Sequence, residues 1–189
     1  MDKILVACST NIIKGYCLQR WIDNVKKFTY PNLEFLIVDT SETDEYIKKY
    51  YNQGIRIDRL TEFYPQESRR MCEGMEYIRQ YFLKSDCNRW FSVESDIIPP
   101  PNATEIMLEV GKDADWISHA FPLRFENPDI EVEQGIGCSI LSRKLLEENS
   151  WAGFDTTPDG HLWELVRPSG KYKTMELWNF IKGIKHLGE

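Results

Sequence analysis

Short aliphatic runs alternate with amphipathic segments through the first hundred residues, and this alternation constrains the fold more than any other feature. Runs with the length and composition of buried strands occupy residues 3–9, 33–38, 55–60 and 90–93. Between these runs, apolar side chains recur at three- and four-residue spacing, which indicates one face of a helix. Because alternating strands and helices imply right-handed crossovers, we predict a Rossmann-like α/β fold with a mainly parallel central sheet and helices on both faces.

The helical segments have recognisable faces and limits. Leu18, Trp21, Ile22 and Val25 form the apolar face of the first helix, and Asn102 is the predicted N-cap of a later one. Further helices are predicted at residues 42–51, 67–83, 102–110 and 142–148, and further strands at 116–125 and 137–141.

Length and composition limit the organisation of the chain. Its 189 residues, 42% of them hydrophobic, supply one core, so we expect a single domain over 1–189. No apolar run approaches the roughly 20 residues that cross a bilayer. The first residues lead into a strand without the features of a secretory signal, and we expect a cytoplasmic protein.

Cysteine content and charge narrow the functional classes. The five cysteines are scattered without a CxxC pair, which predicts reduced thiols rather than a disulfide framework or a zinc site. The net charge of -7 argues against non-specific nucleic-acid binding, because that affinity comes mainly from cationic side chains. Residues 166–186 nevertheless carry five basic side chains against one acidic, so this segment is either a solvated surface or one that faces phosphate.

Polar residues follow three of the predicted strands directly. They are Ser9-Thr10-Asn11, Asp39-Thr40-Ser41 and Glu94-Ser95-Asp96. In an open α/β sheet the ligand crevice lies beyond the carboxyl ends of the strands, so these segments are the first candidates for a site.

Glu94 and Asp96 have the most specific chemical meaning. Two carboxylates two residues apart at the end of a strand can converge on one cation, and such oxygen ligands suit Mg²⁺ or Mn²⁺. A metal held there would neutralise a diphosphate leaving group. The alternative is two surface acids at the end of a strand.

The order of these features resembles the GT-A nucleotide-sugar glycosyltransferases, particularly the inverting, family-2-like members. In that family a first strand ends in a small polar loop and a second ends in Asp followed by Ser or Thr. A helix bearing Arg then leads to an apolar strand that ends in the metal-binding DxD motif. The corresponding segments are Ser9-Thr10, residues 37–41, Arg69-Arg70 and residues 90–96, so the resemblance covers roughly residues 3–100.

This resemblance implies a UDP- or GDP-sugar donor, Mn²⁺ or Mg²⁺ as cofactor, a nucleotide-binding half at about 1–100 and an acceptor-binding half at about 101–189. Glu94 departs from the family's Asp, and its extra methylene implies contact with the metal through water or with the ribose, while Asp96 ligates the metal directly. The implied donor-binding residues are Ser9, Thr10, Asp39, Ser41, Arg69, Arg70 and Ser95.

Asp39 and the arginine pair also have structural alternatives. Asp39 either accepts hydrogen bonds from the nucleoside or is a turn residue that bonds its own backbone. Arg70, with Arg69 as the neighbouring candidate, either meets phosphate in a bidentate fork or forms a surface ion pair with Glu67 or Glu73.

Residues 154–163 lie where the family carries its acidic acceptor motif. Inverting transfer needs a carboxylate that takes the proton of the acceptor hydroxyl, and the resemblance assigns this role to Asp159, with Asp155 in reserve. The alternative for Asp159 is to cap a helix that begins near Gly160. His186 occupies the place of a third metal ligand in many GT-A enzymes, and is otherwise a solvated tail residue.

Three further segments bear on the acceptor half. His119 lies in an apolar run and is predicted to be a core imidazole, whereas His161 is a candidate for orienting the acceptor. The Gly135-Ile136-Gly137 segment either lets a sugar approach the backbone closely or forms a plain turn. Because the chain is shorter than most members of the family, the implied acceptor is a glycan, a protein or a hydroxylated base in DNA, the last being a substrate of small viral members.

Two other functional classes remain open. A nucleotidyltransferase would need a glycine-rich basic loop after the first strand, where residues 8–15 supply one Lys and one Gly. A non-catalytic sugar- or partner-binding module on the same scaffold is the second alternative, and Glu94 in place of Asp keeps it open.

Overall fold

The computed structural model describes residues 1–120, 135–178 and 180–187, and its centre is a seven-stranded sheet. The strands of this sheet are β1 Ile4–Thr10, β2 Leu33–Asp39, β3 Arg56–Arg59, β4 Arg89–Val93, β6 Trp116–His119, β7 Cys138–Ser142 and β8 Thr174–Leu177. Their spatial order is β3-β2-β1-β4-β7-β6-β8. A separate small sheet pairs β5 Ile97–Ile98 with β9 Lys185–His186.

The strand directions confirm a mainly parallel sheet. Strands β1 to β4 are mutually parallel, and β8 is parallel to β6. Strand β7 runs antiparallel to both of its neighbours, β4 and β6. Within the described residues, β7 is therefore the one reversed strand of this sheet.

The helices are α1 Leu18–Val25, α2 Glu45–Lys48, α3 Glu67–Lys84, α4 Ala103–Val110, α5 Arg143–Glu148 and α6 Pro158–Leu165, with a 3-10 turn at Ile12–Lys14. Each predicted helix is present, although α2 is shorter than the predicted 42–51. The strand predicted at 116–125 ends at His119. Its last residues, 121–125, lie outside the described part of the chain.

Alternate side chains of β1 pack on opposite faces of the sheet. Ile4 and Val6 belong to a core with Trp21 of α1, whereas Leu5 and Ala7 belong to a second core that includes residues of α3. Full burial of such an aliphatic side chain stabilises the fold by about 1.5–3 kcal/mol. The prediction of helices on both faces of the sheet is confirmed.

Two predicted helix starts differ in outcome. At α5, the hydroxyl of Ser142 accepts a hydrogen bond from the Leu145 amide at 3.2 Å and caps the helix. Asn102 occupies the N-cap position of α4 as predicted, but at φ −98° and ψ 15° its backbone is not extended and its side chain makes no capping hydrogen bond. Instead, the Ala103 amide donates to the carbonyl of Pro100 at 3.0 Å.

The structure also bears on the predictions about disulfides and membrane-spanning helices. All five cysteines are buried and none of them forms a disulfide, in agreement with the prediction. In the described residues, no helix has both the length and the apolar character that a membrane crossing requires.

Candidate functional site

A cleft of about 750 Å³, including space open to solvent, lies at the carboxyl ends of β1 and β4. Six of the predicted site residues line it: Ser9, Thr10, Arg70, Glu94, Ser95 and Asp96. The cleft therefore lies where the strand ends of an open α/β sheet predict a ligand site.

Helix α3 approaches the end of β1 unusually closely. A Cβ atom at Gly74 would overlap with the hydroxyl of Ser9, so the helix packs this tightly only because residue 74 has no side chain. On the same helix, Arg70 and Met71 reach the cleft. The glycine thus permits the close approach of α3 to the end of the first strand.

Asp39 is fully buried at the end of β2 and organises the turn that follows. Its Oδ1 accepts hydrogen bonds from the amide of Ser41 at 3.1 Å and from the Ser41 hydroxyl at 2.7 Å. Ser41 Oγ in turn accepts from the Ile12 amide at 2.9 Å. The turn role of Asp39 is therefore present, and Asp39 and Ser41 support the loop after β1 rather than line the cleft.

The Oδ2 atom of Asp39 has a different environment from Oδ1. It is buried and has no hydrogen-bond partner within the protein. Burial raises the pKa of Asp39, against the hydrogen bonds from Ser41, which lower it. A buried carboxylate oxygen of this kind gains free energy when a ligand supplies a donor.

The C-terminal segment returns to the motif after β4. Strand β9 pairs antiparallel with β5, which places His186 opposite Ile97. The amide of Leu187 also donates to the carbonyl of Asp96 at 2.8 Å. As a result, Nε2 of His186 lies 3.4 Å from Oδ2 of Asp96.

Asp96 is 1% exposed and is surrounded by polar groups from the loop after β1. The ammonium of Lys14 lies 2.5 Å from Oδ2 of Asp96, and the hydroxyl of Tyr16 lies 3.4 Å from the same oxygen. Both residues were missed as site residues. The available signal was Lys14 itself, the one lysine in the loop after the first strand.

Glu94 is partly buried next to other acids. Burial, followed by the negative charges of Asp159 and Asp96, raises the pKa of Glu94 to about 7. The amide of Glu94 donates to the carbonyl of Gly137 at 2.9 Å, which extends the β4–β7 pairing into the site. A cation bound nearby would favour the ionised form of this carboxyl group.

The two arginines of α3 have different surroundings. Arg69 forms an ion pair with Glu73 at 2.6 Å, so the predicted alternative of a surface pair applies to this residue. Arg70 donates to the carbonyls of Tyr64 at 3.1 Å and Pro65 at 3.2 Å, and lines the cleft. Of the two, only Arg70 is among the residues that line the cleft.

Asp159 lies in the first turn of α6, at the edge of the cleft. Its Oδ1 accepts a hydrogen bond from the amide of Ile136, a residue that lines the cleft. The helix is capped by Thr157, whose hydroxyl accepts from the Gly160 amide at 3.2 Å, so the alternative that Asp159 is the cap is wrong. Asp155 lies before the helix and is exposed.

The two other histidines are buried. His119 Nε2 accepts a hydrogen bond from the Ile181 amide at 2.8 Å, which confirms a satisfied core imidazole. His161 packs between Trp151 and Phe154, with ring centroids at 5.9 and 3.9 Å, and does not line the cleft.

Another acidic cluster lies at the opposite ends of the strands. Glu34, Asp86 and Cys87 are, among the described residues, the one set of three whose metal-ligating atoms lie within 4.8 Å of one another. Lys3 already bridges the two carboxylates, at 2.7 Å from Glu34 and 2.5 Å from Asp86. We therefore interpret this cluster as a structural ion-pair network.

No protein-family model matches the chain, and no curated protein matches its sequence. Several solved structures do match. Glucosyl-3-phosphoglycerate synthase from Mycobacterium tuberculosis, in complex with phosphoglyceric acid, superimposes with a TM-score of 0.71 and 15% identity over 100% of this chain and 73% of that chain. The mannosyltransferase PcManGT from Pyrobaculum calidifontis, in complex with GDP-Man and Mn²⁺, superimposes with a TM-score of 0.63 and 13% identity over 95% of this chain and 55% of that chain. The structure of S. aureus TarS 1-349 in complex with UDP-GlcNAc superimposes with a TM-score of 0.64 and 12% identity. The match covers 99% of this chain and 60% of that chain.

The chain has the GT-A glycosyltransferase fold. It spans 60% of TarS 1-349 and 35% of a longer TarS structure, and thus less than two thirds of either. At these identities the GT-A likeness establishes the fold, whereas function has to be argued from the site.

The potential metal-ligating atoms at Asp96 and His186 fit a divalent cation. A carboxylate oxygen and an imidazole nitrogen are both ligands of Mn²⁺, and the ammonium of Lys14 shows that Oδ2 of Asp96 already accepts a cation. The ligand atoms of Glu94, Asp96 and His186 do not all lie within 4.8 Å of one another. Because Asp96 and His186 lie 3.4 Å apart, the carboxylate of Glu94 is the outlying one of these three groups.

Proposed function

We propose that the protein is a glycosyltransferase, which moves a sugar from a nucleoside-diphosphate sugar to a hydroxyl group of an acceptor. The observation that carries this proposal is the buried carboxylate of Asp96, which faces the cleft of a GT-A fold and is in contact with a cationic side chain. Residues 1–100 would supply most of the donor site, and residues 101–189 most of the acceptor site.

The donor side is supported by the ends of β1 and β2 and the start of α3. Ser9, Thr10 and Ser95 line the cleft and offer hydrogen bonds to the donor. Asp39, supported by Ser41, would accept a hydrogen bond from the nucleoside through its buried Oδ2 atom after movement of the adjacent turn at Thr40, which lines the cleft. Arg70 would contact the diphosphate, whereas Arg69 is held in an ion pair with Glu73 and would play a supporting part.

We infer that Asp96 and His186 hold Mn²⁺ or Mg²⁺, with Glu94 contributing through water. When bound, such a cation neutralises the charge that develops on a diphosphate leaving group. The carboxylates alone would repel that group, so the same residues that bind the cation oppose donor binding in its absence.

On the acceptor side, Asp159 is the candidate general base for inverting transfer. It lies beside Ile136 and Pro158, both of which line the cleft, and its carboxylate is oriented by the Ile136 amide. In that position it would take the proton of the acceptor hydroxyl as the sugar carbon is attacked. Asp155 remains the reserve candidate.

The test is a screen of UDP- and GDP-sugars by thermal unfolding, with Mn²⁺, with Mg²⁺ and with chelator. A ligand that binds only the folded state raises its free energy of unfolding, by about 2.7 kcal/mol at 100 times Kd. We expect at least one nucleotide sugar to stabilise the protein in the presence of metal, and Asp96→Asn to abolish the effect.

The bound donor then distinguishes an enzyme from a binding module. Slow release of the nucleoside diphosphate by donor hydrolysis is expected of a transferase that lacks its acceptor. Stabilisation without any release, and without transfer to glycan, protein or hydroxylated DNA acceptors, would instead support a non-catalytic sugar-binding module. Release of pyrophosphate from a nucleoside triphosphate would support the nucleotidyltransferase alternative.

A further inference from the structure

Lys14 is held in place by the turn that follows β1. The side chain of Asn11 accepts a hydrogen bond from the Ile13 amide at 3.1 Å, and the Lys14 amide donates to the Asn11 carbonyl at 2.8 Å. Ser41 accepts from the Ile12 amide at 2.9 Å and ties this turn to the end of β2. The lysine therefore leaves the backbone from a fixed point at the rim of the cleft.

The side chain of Lys14 joins this turn to the metal-binding motif. Its ammonium lies 2.5 Å from Oδ2 of Asp96, a carboxylate that is 1% exposed, whereas the lysine side chain is 29% exposed. A carboxylate this deeply buried needs a counter-charge, because burial of an unpaired charge is costly. Lys14 supplies that charge and lines the cleft together with Arg70.

The same oxygen is the one closest to His186, at 3.4 Å. A divalent cation bound between Asp96 and His186 would thus contact the oxygen that the Lys14 ammonium already contacts. Two cations on one carboxylate oxygen repel each other. Lysine can move away, because its charge is carried on a flexible four-carbon stem.

We propose that Lys14 and the divalent cation alternate on Oδ2 of Asp96, and that Lys14, once displaced by the cation, binds the diphosphate of the donor. This inference rests on the proposed function for its second half, and on the Lys14–Asp96 contact alone for its first. Lys14 thereby keeps the empty site neutralised and becomes a donor-binding residue in the loaded site.

This exchange couples the binding of the cation to the binding of the nucleotide. Without nucleotide, the cation has to break the Lys14–Asp96 ion pair, and the ammonium gains nothing in return. With a nucleoside diphosphate present, the displaced ammonium finds a new anion, so each ligand strengthens binding of the other by the same factor.

The experiment measures Mn²⁺ affinity by electron paramagnetic resonance of free Mn²⁺, first on the protein without nucleotide. We expect Lys14→Met to bind Mn²⁺ about tenfold more tightly than wild type, a factor that corresponds to about 1.4 kcal/mol. Lys14→Gln, the second neutral variant, should agree, and thermal unfolding checks that both are folded. Lys48→Met is the matched control, because Lys48 also pairs with an aspartate, Asp44 at 3.0 Å, and carries the same charge.

The titration is then repeated with saturating UDP or GDP, whichever binds. Wild type and Lys48→Met should gain Mn²⁺ affinity on nucleotide addition, and the Lys14 variants should lose most of that gain. Unchanged or weaker Mn²⁺ binding by both Lys14 variants without nucleotide would overturn the proposal, as would a failure of wild type and both variants to bind any Mn²⁺. A third outcome is tighter Mn²⁺ binding by the Lys14 variants together with no nucleotide binding by any form of the protein. That result would support the alternation of Lys14 and the cation on Asp96. It would overturn both the contact of Lys14 with the diphosphate and the proposed transferase function.

Discussion

Nε2 of His186 lies 3.4 Å from Oδ2 of Asp96, although ninety positions separate the two residues in the chain. This proximity depends on the pairing of β9 with β5, in which His186 is opposite Ile97 and Lys185 is opposite Ile98. The C-terminal segment therefore completes the site that begins at the end of β4.

Replacement of His186 should weaken cation binding without unfolding the protein. We expect His186→Ala to lower Mn²⁺ affinity by about tenfold or more, since even outer-shell groups of metal sites contribute at this level. Lys185→Ala is the control, because Lys185 is the exposed neighbour on the same strand. Equal Mn²⁺ affinities for the two variants, measured by titration, would exclude His186 as a ligand.

Asp39 can be tested by a substitution that preserves its turn. In Asp39→Asn, the side-chain oxygen can still accept from Ser41, whereas the amide nitrogen takes the place of the buried Oδ2. Loss of an acceptor for the nucleoside should weaken nucleotide binding by about 1–3 kcal/mol. Calorimetry measures the effect, and wild-type affinity in a folded variant would leave Asp39 with its turn role alone.

Asp39 and His186 show how far the sequence predicts this site, because Asp39 was found from a local pattern and His186 only from its place in the family resemblance. The ends of β1, β2 and β4 could be predicted, because a strand and the polar residues after it are local features of the chain. The reversed strand β7 and the short pairing of β5 with β9 could not, because strand pairing joins distant segments. Lys14 was missed for the same reason, since its partner Asp96 is 82 residues away.

Asp159→Asn tests the general base. Asparagine keeps an oxygen that accepts from the Ile136 amide and leaves the Thr157 cap intact, but it cannot take a proton. Turnover should fall by roughly 10²–10⁴, with donor affinity nearly unchanged. The measurement is single-turnover transfer at saturating donor, or donor hydrolysis until an acceptor is known.

Asp155→Asn is the control for that experiment, since Asp155 is exposed and lies four residues earlier. Normal turnover in this variant is expected. A collapse of turnover in Asp155→Asn, with near-normal turnover in Asp159→Asn, would transfer the role of base to Asp155. Near-normal turnover in both variants would exclude an inverting mechanism that uses either carboxylate.

The buried His161 predicts how stability depends on pH. Burial lowers the pKa of His161 below its usual value of 6.5, so between that value and the lower one the unfolded chain binds more protons than the folded protein. The stability that comes from burying His161 as a neutral imidazole is fully present above pH 6.5. It is lost as the pH falls from 6.5 through the folded-state pKa.

We expect His161→Phe, which retains the aromatic contacts with Trp151 and Phe154, to reduce the loss of stability between about pH 7 and 5. Urea unfolding across this range provides the measurement. Burial also lowers the pKa of His119, which therefore leaves a residual slope in the variant. An unchanged pH dependence would show that His161 is protonated equally in both states.

Calorimetric titration of UDP and of GDP into the protein, with Mn²⁺ and with chelator, tests whether this cleft is a metal-assisted nucleotide site. We predict that at least one of the two nucleotides binds more tightly in Mn²⁺, by about 5–150-fold, the usual range of coupling between two bound ligands. The difference should disappear in Asp96→Asn. Equal affinity in Mn²⁺ and in chelator would contradict the role of the metal, and absence of binding under both conditions would contradict the assignment of the cleft as a donor site.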